Sequence, residues 1–239
     1  ISCIFFIWLS DTSITNINID FFDQLLIDYN LSSILLTTFC IIVLINGSNF
    51  IDGVNLSAIG YYLGLFVLFY FLGNEPNISN NQIFLKNVII ILSLILLINI
   101  FNMTMLGDGG IYLISFVTGF FVVELVDQNR IFSPYFAVLI FWYPCIENLF
   151  SIIRKKLIKI KAAQADNLHL HHLIYSVFKK KFKNRHVNNI TGLSLLLFNY
   201  LIFYLSFIFY SNTQILIVIF FACVALYAFL YSYFYKLTR

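Results

Sequence analysis

Three short stretches carry side chains able to do chemistry in a chain otherwise made for hydrocarbon. The first is Asn46-Gly-Ser-Asn-Phe-Ile-Asp-Gly-Val-Asn55, with Asp52 between the almost wholly apolar segments 31–45 and 58–72. A carboxylate left alone in hydrocarbon is costly, so Asp52 marks a functional site by default. Gly47 and Gly53 let the backbone turn and expose its amides, as loops that hold phosphates require. A plain turn between two spans explains the same stretch about as well. The second is Leu106-Gly-Asp-Gly-Gly110, with Asp108 among three glycines where a helix should start. A carboxylate among free amides suits Mg²⁺, which takes one or two carboxylates and completes its shell from water and substrate phosphates. A helix N-cap after a glycine turn is the plainer alternative. The third is Asp166-Asn-Leu-His-Leu-His-His172. If helical, it puts two of the imidazoles of His169, His171 and His172 on one side, with Asp166 three residues before His169. Zinc would use such a cluster. With no HExxH, no cysteine nearby and many surrounding cations, an anion suits these imidazoles better.

The elements that must position these residues are membrane helices. The 239 residues are 61% hydrophobic and 10% charged, with 28 Phe and 15 Tyr; a soluble domain keeps roughly a quarter of its residues charged. Apolar segments fall near 31–46, 57–72, 83–101, 111–126, 134–153, 191–210 and 214–235, with the tail of another at 1–9. Their lengths are those of helical spans and not of barrel strands. The expectation is an all-α, polytopic transmembrane helical bundle of about seven full spans plus one partial. Cys3, Cys40, Cys145 and Cys223 stand singly in apolar runs and read as small core residues, not as a disulfide or metal framework. The chain opens without Met or a basic leader. The expectation is that residue 1 lies inside a helix and the natural N-terminus lies upstream.

Orientation follows from Lys and Arg. Arg154, Lys155, Lys156, Lys159, Lys161, Lys179, Lys180, Lys181, Lys183 and Arg185 put ten of the fourteen basic residues in one loop, which should stay cytoplasmic. Most of these cations need no further role than topology and headgroup attraction. Counting spans back puts Asn46–Asn55 and Asn102–Gly110 on the cytoplasmic side, and the acidic segment Ser10–Asn30 outside. Three polar stretches far apart in sequence are thereby expected at one membrane face. Glu124 and Asp127 fall near the outer interface, where solvation accounts for them. Glu147 lies toward the cytoplasmic end of its span, where it either faces the site or snorkels.

Together the three stretches resemble the polyprenyl-phosphate N-acetylhexosamine-1-phosphate transferase family. Asn49-Phe-Ile-Asp-Gly-Val-Asn55 is similar to its N-x-x-D-G-x-[DN] loop, and Leu106-Gly-Asp-Gly-Gly110 with the following residues to its F-[LM]-G-D-[SG]-G loop and helix. Asp166 to His172 resembles the D-x-x-H-x-H-H signature of the WecA-like branch, and Tyr143 through Arg154 the helix leading into it. The pattern departs at Leu56, where a glycine usually follows, at 99–105, which lack the usual Pro and Lys, and at Ala165, where a Pro often stands. The family's earlier Asp-Asp motif would lie upstream of Ile1.

The resemblance implies a single integral-membrane transferase domain over 1–239, with a basic cytoplasmic loop at 154–190. It implies a glycosyltransferase family 4-like enzyme of the inner, cytoplasmic membrane, its active site facing the cytoplasm. Such an enzyme moves an N-acetylhexosamine 1-phosphate from a UDP-sugar to undecaprenyl phosphate, releases UMP, and initiates cell-envelope polysaccharide synthesis, whether of cell wall or lipopolysaccharide. In the family's roles, Asp108 with Asn49 would ligate Mg²⁺ (or Mn²⁺ in its place), and Asp52 would serve catalysis or nucleoside binding. Asn55 would contact uracil, and His169, His171 and His172 would hold phosphate or sugar. The partners implied are the UDP-sugar, the lipid phosphate, the bilayer and a second copy in a homodimer, with no nucleic acid. The competing class is a transporter or channel, which would place polar residues near the midplane, often in two related halves. A membrane anchor for a partner enzyme has the basic loop as its sole support.

Overall fold

The computed structural model describes residues 2–73, 81–157, 159, 168–182 and 186–238. Among them are eleven helices and no strand. In chain order they are α1 (Ser2–Ser10), α2 (Asp20–Asp28), α3 (Asn30–Ile51), α4 (Ser57–Leu72), α5 (Gln82–Ile100), α6 (Gly107–Gln128), α7 (Pro134–Ile140), α8 (Trp142–Leu157), α9 (Leu170–Lys181), α10 (Val187–Ile208) and α11 (Thr213–Thr238).

All seven apolar segments expected from the sequence are helical, yet they do not all have the expected form. By length and composition α3, α5, α6, α10 and α11 are able to cross a membrane, while α4 has 16 residues and is shorter than these. The segment 134–153, expected as one straight span, is divided into α7 and α8, which pass the same test together but meet at 71°. The protein is thus a helical membrane bundle with, among the described residues, five candidate spans, or six counting the bent pair. The break has a covalent cause. Pro144 has no N–H to return to the Ile140 carbonyl four residues back, so a straight helix cannot continue there. The Tyr61 hydroxyl on α4 donates to that carbonyl instead.

Packing explains why the short helix belongs in the middle. Tyr61, Tyr62, Leu65, Phe66, Phe69 and Leu72 of α4 are fully buried against α5 and α10. A helix apolar on all sides is stable when covered on all sides. In contrast α5 buries Leu85, Leu92 and Asn99 and exposes Ile83, Ile90, Ile91, Leu94 and Leu97. That apolar surface, unfavourable in water, suits lipid. α3 packs on both α6 and α8.

The stretch 46–55 is less of a loop than its glycines suggest. α3 runs on through Ile51, and Gly47 serves close packing rather than a turn: a Cβ there would stand 1.9 Å from the Pro144 carbonyl oxygen. The acidic segment between α1 and α3 is also more ordered than its composition suggests. Asp23 of α2 accepts from the N–H groups of Ile17 and Ile19 at 2.7 and 3.1 Å.

A methyl group at position 47 must therefore push two backbones apart. Gly47→Ala should lower unfolding stability in detergent by roughly 1–3 kcal/mol. Gly109→Ala, whose Cβ would meet nothing within 4 Å, should change it by less than about 0.5 kcal/mol. Equal midpoints for the two variants in thermal unfolding would contradict the α3–α8 contact.

Candidate functional site

Between α3 and α4 the chain leaves helical geometry for five residues, 52–56. Asparagine side chains hold this connection from three sides. Asn55 is buried, and its side-chain amide donates to the Asn102 Oδ1 at 2.5 Å and to the Asn189 Oδ1 at 2.7 Å. The Asn55 N–H donates to the Asn188 Oδ1 at 3.2 Å, and the Leu56 N–H to the Asn99 Oδ1 at 2.7 Å. Asn99 donates onward to the Thr104 carbonyl and Asn189 to the Ile100 carbonyl. The 52–56 connection, the end of α5 with residues 101–106, and the start of α10 are thereby one hydrogen-bonded unit. Gly192 permits the approach of α10, since a Cβ there would lie 1.8 Å from the Asn55 carbonyl oxygen. Leu56, the departure from the glycine of the family pattern, adopts φ +67°. A glycine would hold that left-handed conformation without strain.

The two aspartates meet within this frame. α6 starts at Gly107, itself at φ +64°, and the Gly107 N–H donates to the Asp52 carboxylate. Asp108 lies in the first turn of α6, exposed; it is not the cap, because Leu106 holds that place. Burial pushes the Asp52 carboxyl up to about 6, and the nearby Asp108 charge pushes the same way, partly opposed by the Gly107 amide. Asn49 is half-buried one turn before Asp52, and its carbonyl accepts the Asp52 N–H.

The imidazoles come to the same place from α9. His171 has no exposed surface, and its ring lies against Gly53, where a Cβ would fall 2.1 Å from Nε2. Neither of its ring nitrogens has a hydrogen-bond partner among the described residues. Burial, and then the neighbouring His172 and His169, hold His171 well below the usual histidine value, so it is neutral at pH 7. His172 is half-buried, with its ring centroid 4.1 Å from that of His171. The His169 ring packs on Phe50 of α3 at 4.6 Å and stacks with His171 at 5.8 Å. Asp166, expected beside His169, lies outside the described residues.

Glu147 resolves its two sequence alternatives by facing inward. Its carboxylate is buried and accepts from His169 Nδ1, the Leu170 N–H and the Tyr227 hydroxyl. Arg154 and Lys155, expected to serve topology, also have local partners. Arg154 donates to the Leu168 carbonyl and to the Tyr231 hydroxyl, and Lys155 is buried with its ammonium 5.9 Å from the Phe50 ring.

Asp52, Asp108, Asn49, Asn55 and the three histidines are thus brought to one end of the bundle. Asn55 serves as a tie, both hydrogens of its amide being used within the protein. Asn99, Asn102, Asn188 and Asn189 were not singled out by sequence reasoning. The available signal was an amide such as Asn99 in an apolar span, which must find partners inside the protein. Among the described residues no three His, Cys, Asp or Glu side chains group as a metal site. The donor set at Asp52 and Asp108 nevertheless suits a hard cation that takes two carboxylate groups and leaves the remaining positions to phosphate and water. A cavity of about 790 Å³ lies toward the other end, with Asn18, Asp127, Arg130, Cys145 and Leu149 in its lining; Asp52, Asp108, Asn49, Asn55 and the three histidines do not line it. Comparison with protein-family models, curated proteins and solved structures found no match.

The Asp52 carboxylate costs stability. Its folded-state value lies above the ordinary 3.8, so folding favours the protonated form, and stability falls as pH rises from there to about 6. In EDTA at about pH 7.5, Asp52→Asn should raise unfolding stability by roughly 1–3 kcal/mol, and the gain should shrink toward zero near pH 4. Thermal unfolding of the two proteins at both pH values checks this; an Asn variant less stable at neutral pH would contradict the cost of burying the Asp52 carboxylate.

Proposed function

We propose that the protein transfers an N-acetylhexosamine 1-phosphate from a UDP-sugar to a polyprenyl phosphate, undecaprenyl phosphate in a bacterial membrane, and releases UMP. The observation that carries this reading is the convergence of two carboxylates, a glycine-led helix N-terminus and three imidazoles on one end of a membrane bundle. A lipid-borne acceptor and a water-soluble nucleotide donor must meet at such a boundary. In the reaction, a lipid phosphate oxygen bonds to the phosphorus that carries the sugar. The bond from that phosphorus to the bridging oxygen breaks, and UMP leaves with its electron pair.

The obstacle is charge, because an anion must approach a diphosphate. Bound Mg²⁺ would withdraw that charge from the phosphate oxygens. Asp108, exposed on the first turn of α6, and Asp52 beside it are the side chains suited to hold the ion, with Asn49 adjacent. The amides opening α6 and the positive end of its dipole favour phosphate oxygens nearby. Neutral His171 would supply a hydrogen bond without adding charge, and the cations of the 154–185 stretch would draw the nucleotide to the surface. In this reading the active-site end faces the cytoplasm, where UDP-sugars are, and the chain crosses the bilayer seven times with one further partial span. A transporter is less well supported, since the polar groups gather at one end.

The experiment is UMP release by the full-length protein in detergent with UDP-N-acetylglucosamine and undecaprenyl phosphate. Release should require Mg²⁺, and Asp108→Asn, which keeps shape and removes charge, should slow it by roughly 100-fold or more. Undiminished turnover by that variant at limiting Mg²⁺ would overturn the role of Asp108, leaving it a residue of the helix start.

A further inference from the structure

Glu147 is a carboxylate that the proposed reaction does not use, yet it ties three parts of the site's support together. It projects from α8, one turn beyond Pro144, and is 1% exposed. Its Oε1 accepts from His169 Nδ1 at 2.9 Å and from the Leu170 N–H at 3.1 Å, and its Oε2 accepts from the Tyr227 hydroxyl of α11 at 2.7 Å. One carboxylate thus meets the imidazole just before α9, the first amide of α9, and the last helix of the chain. An isolated charge at this depth would be expensive, and three donors are what make it tolerable. The amide of Leu170 is also one of the donors that a helix start leaves unsatisfied.

We infer that Glu147 is the positioning residue of the imidazole cluster: it fixes the tautomer and the ring plane of His169, and through the first turn of α9 it sets where His171 and His172 stand. The inference rests on the transferase reading for its catalytic consequence, but not for the geometry. Because His169 Nδ1 faces the carboxylate, that nitrogen carries the hydrogen, and Nε2 is turned away from Glu147. Phe50 covers one face of the ring at 4.6 Å and His171 stacks with it at 5.8 Å, so what the carboxylate decides is which of the two orientations, half a turn apart about Cβ–Cγ, the ring adopts. Carboxylates behind histidines act this way where imidazoles bind or catalyse. Tyr227 in turn holds the carboxylate from behind, which gives α11 a part in the site although it contributes no group to it. Arg154 completes the support by holding the Leu168 carbonyl, one residue before His169, and the Tyr231 hydroxyl on α11.

The test is a double-mutant cycle in the full-length protein. Glu147→Gln keeps the shape and can still accept one hydrogen bond, but lacks the charge. It should lower kcat of UMP release by roughly 10- to 100-fold with KM for the UDP-sugar changed less than about threefold. In the His169→Ala background the same substitution should cost less than about twofold, because Glu147 acts through that ring. Tyr227→Phe, which touches the carboxylate and not the histidine, should give a smaller loss of the same kind. A full cost repeated in the His169→Ala background would overturn the inference, and so would a loss confined to KM. Should the wild-type protein release no UMP, the transferase reading fails, and the geometry is read without substrate from modification of His169 by diethylpyrocarbonate. Glu147→Gln should then speed that modification at least fivefold or so, as a freed ring becomes reactive; an unchanged rate would overturn the positioning role.

Discussion

Polar groups buried inside a helical bundle must find partners within the protein, and a network of five asparagines meets that condition where it matters most here. Asn55 joins Asn102, Asn188 and Asn189, while Asn99 secures the next amide of the chain. Without these bonds the Asn55 and Leu56 amides between α3 and α4 would lose their partners. With them, the ends of α3 and α5 and the starts of α4, α6 and α10 become a single floor. Asp52 and Asp108 stand on that floor, held by rigid neighbours rather than by mobile loops. A catalytic constellation needs its groups held to within a fraction of an ångström, and rigid elements supply that better than loops do.

The same floor holds an unfavourable arrangement in place. The half-buried Asp52 carboxylate feels the Asp108 charge with the Gly107 amide as a donor to it, and a neutral imidazole is buried against Gly53 with both ring nitrogens unsatisfied among the described residues. None of this favours folding by itself. Such groups persist where surrounding structure over-determines them, and they gather at sites that await a ligand. A cation between the carboxylates and phosphate oxygens within reach of the imidazoles would satisfy both deficits, which is the physical core of the transferase proposal.

Much of the fold was legible in the sequence, because hydrophobic length is a strong signal. Six of the seven apolar segments are single helices and the seventh is the bent pair α7 and α8, and the meeting of Asp52, Asp108 and the histidines at one end was anticipated from the charge asymmetry about 154–185. What was missed had weaker signals. The bend between α7 and α8 has its signal in Pro144, although hydrophobic length alone predicts one straight span over 134–153. The close contact at Gly47 could not be told from a turn, since a glycine permits both and only the partner, Pro144, decides. Glu147 remained open for the same reason: its role depends on Leu170 and Tyr227, 23 and 80 residues away, and no local pattern encodes those distances. The asparagine ties carry a weak signal because an amide is chemically mild, although in a span it is a demand for partners.

The central claim is that three stretches distant in sequence form one site at one face of the membrane. Its most direct test is sidedness, with the four native cysteines replaced and single cysteines placed at Asn46, Gly109 and Lys159, all exposed. A membrane-impermeant maleimide applied to intact cells and to inverted vesicles should label all three in the vesicles alone, while a cysteine at Gln128, at the far end of α6, should label in the cells. Labelling of any one of the three from the side opposite to the other two would break the site apart and contradict the account.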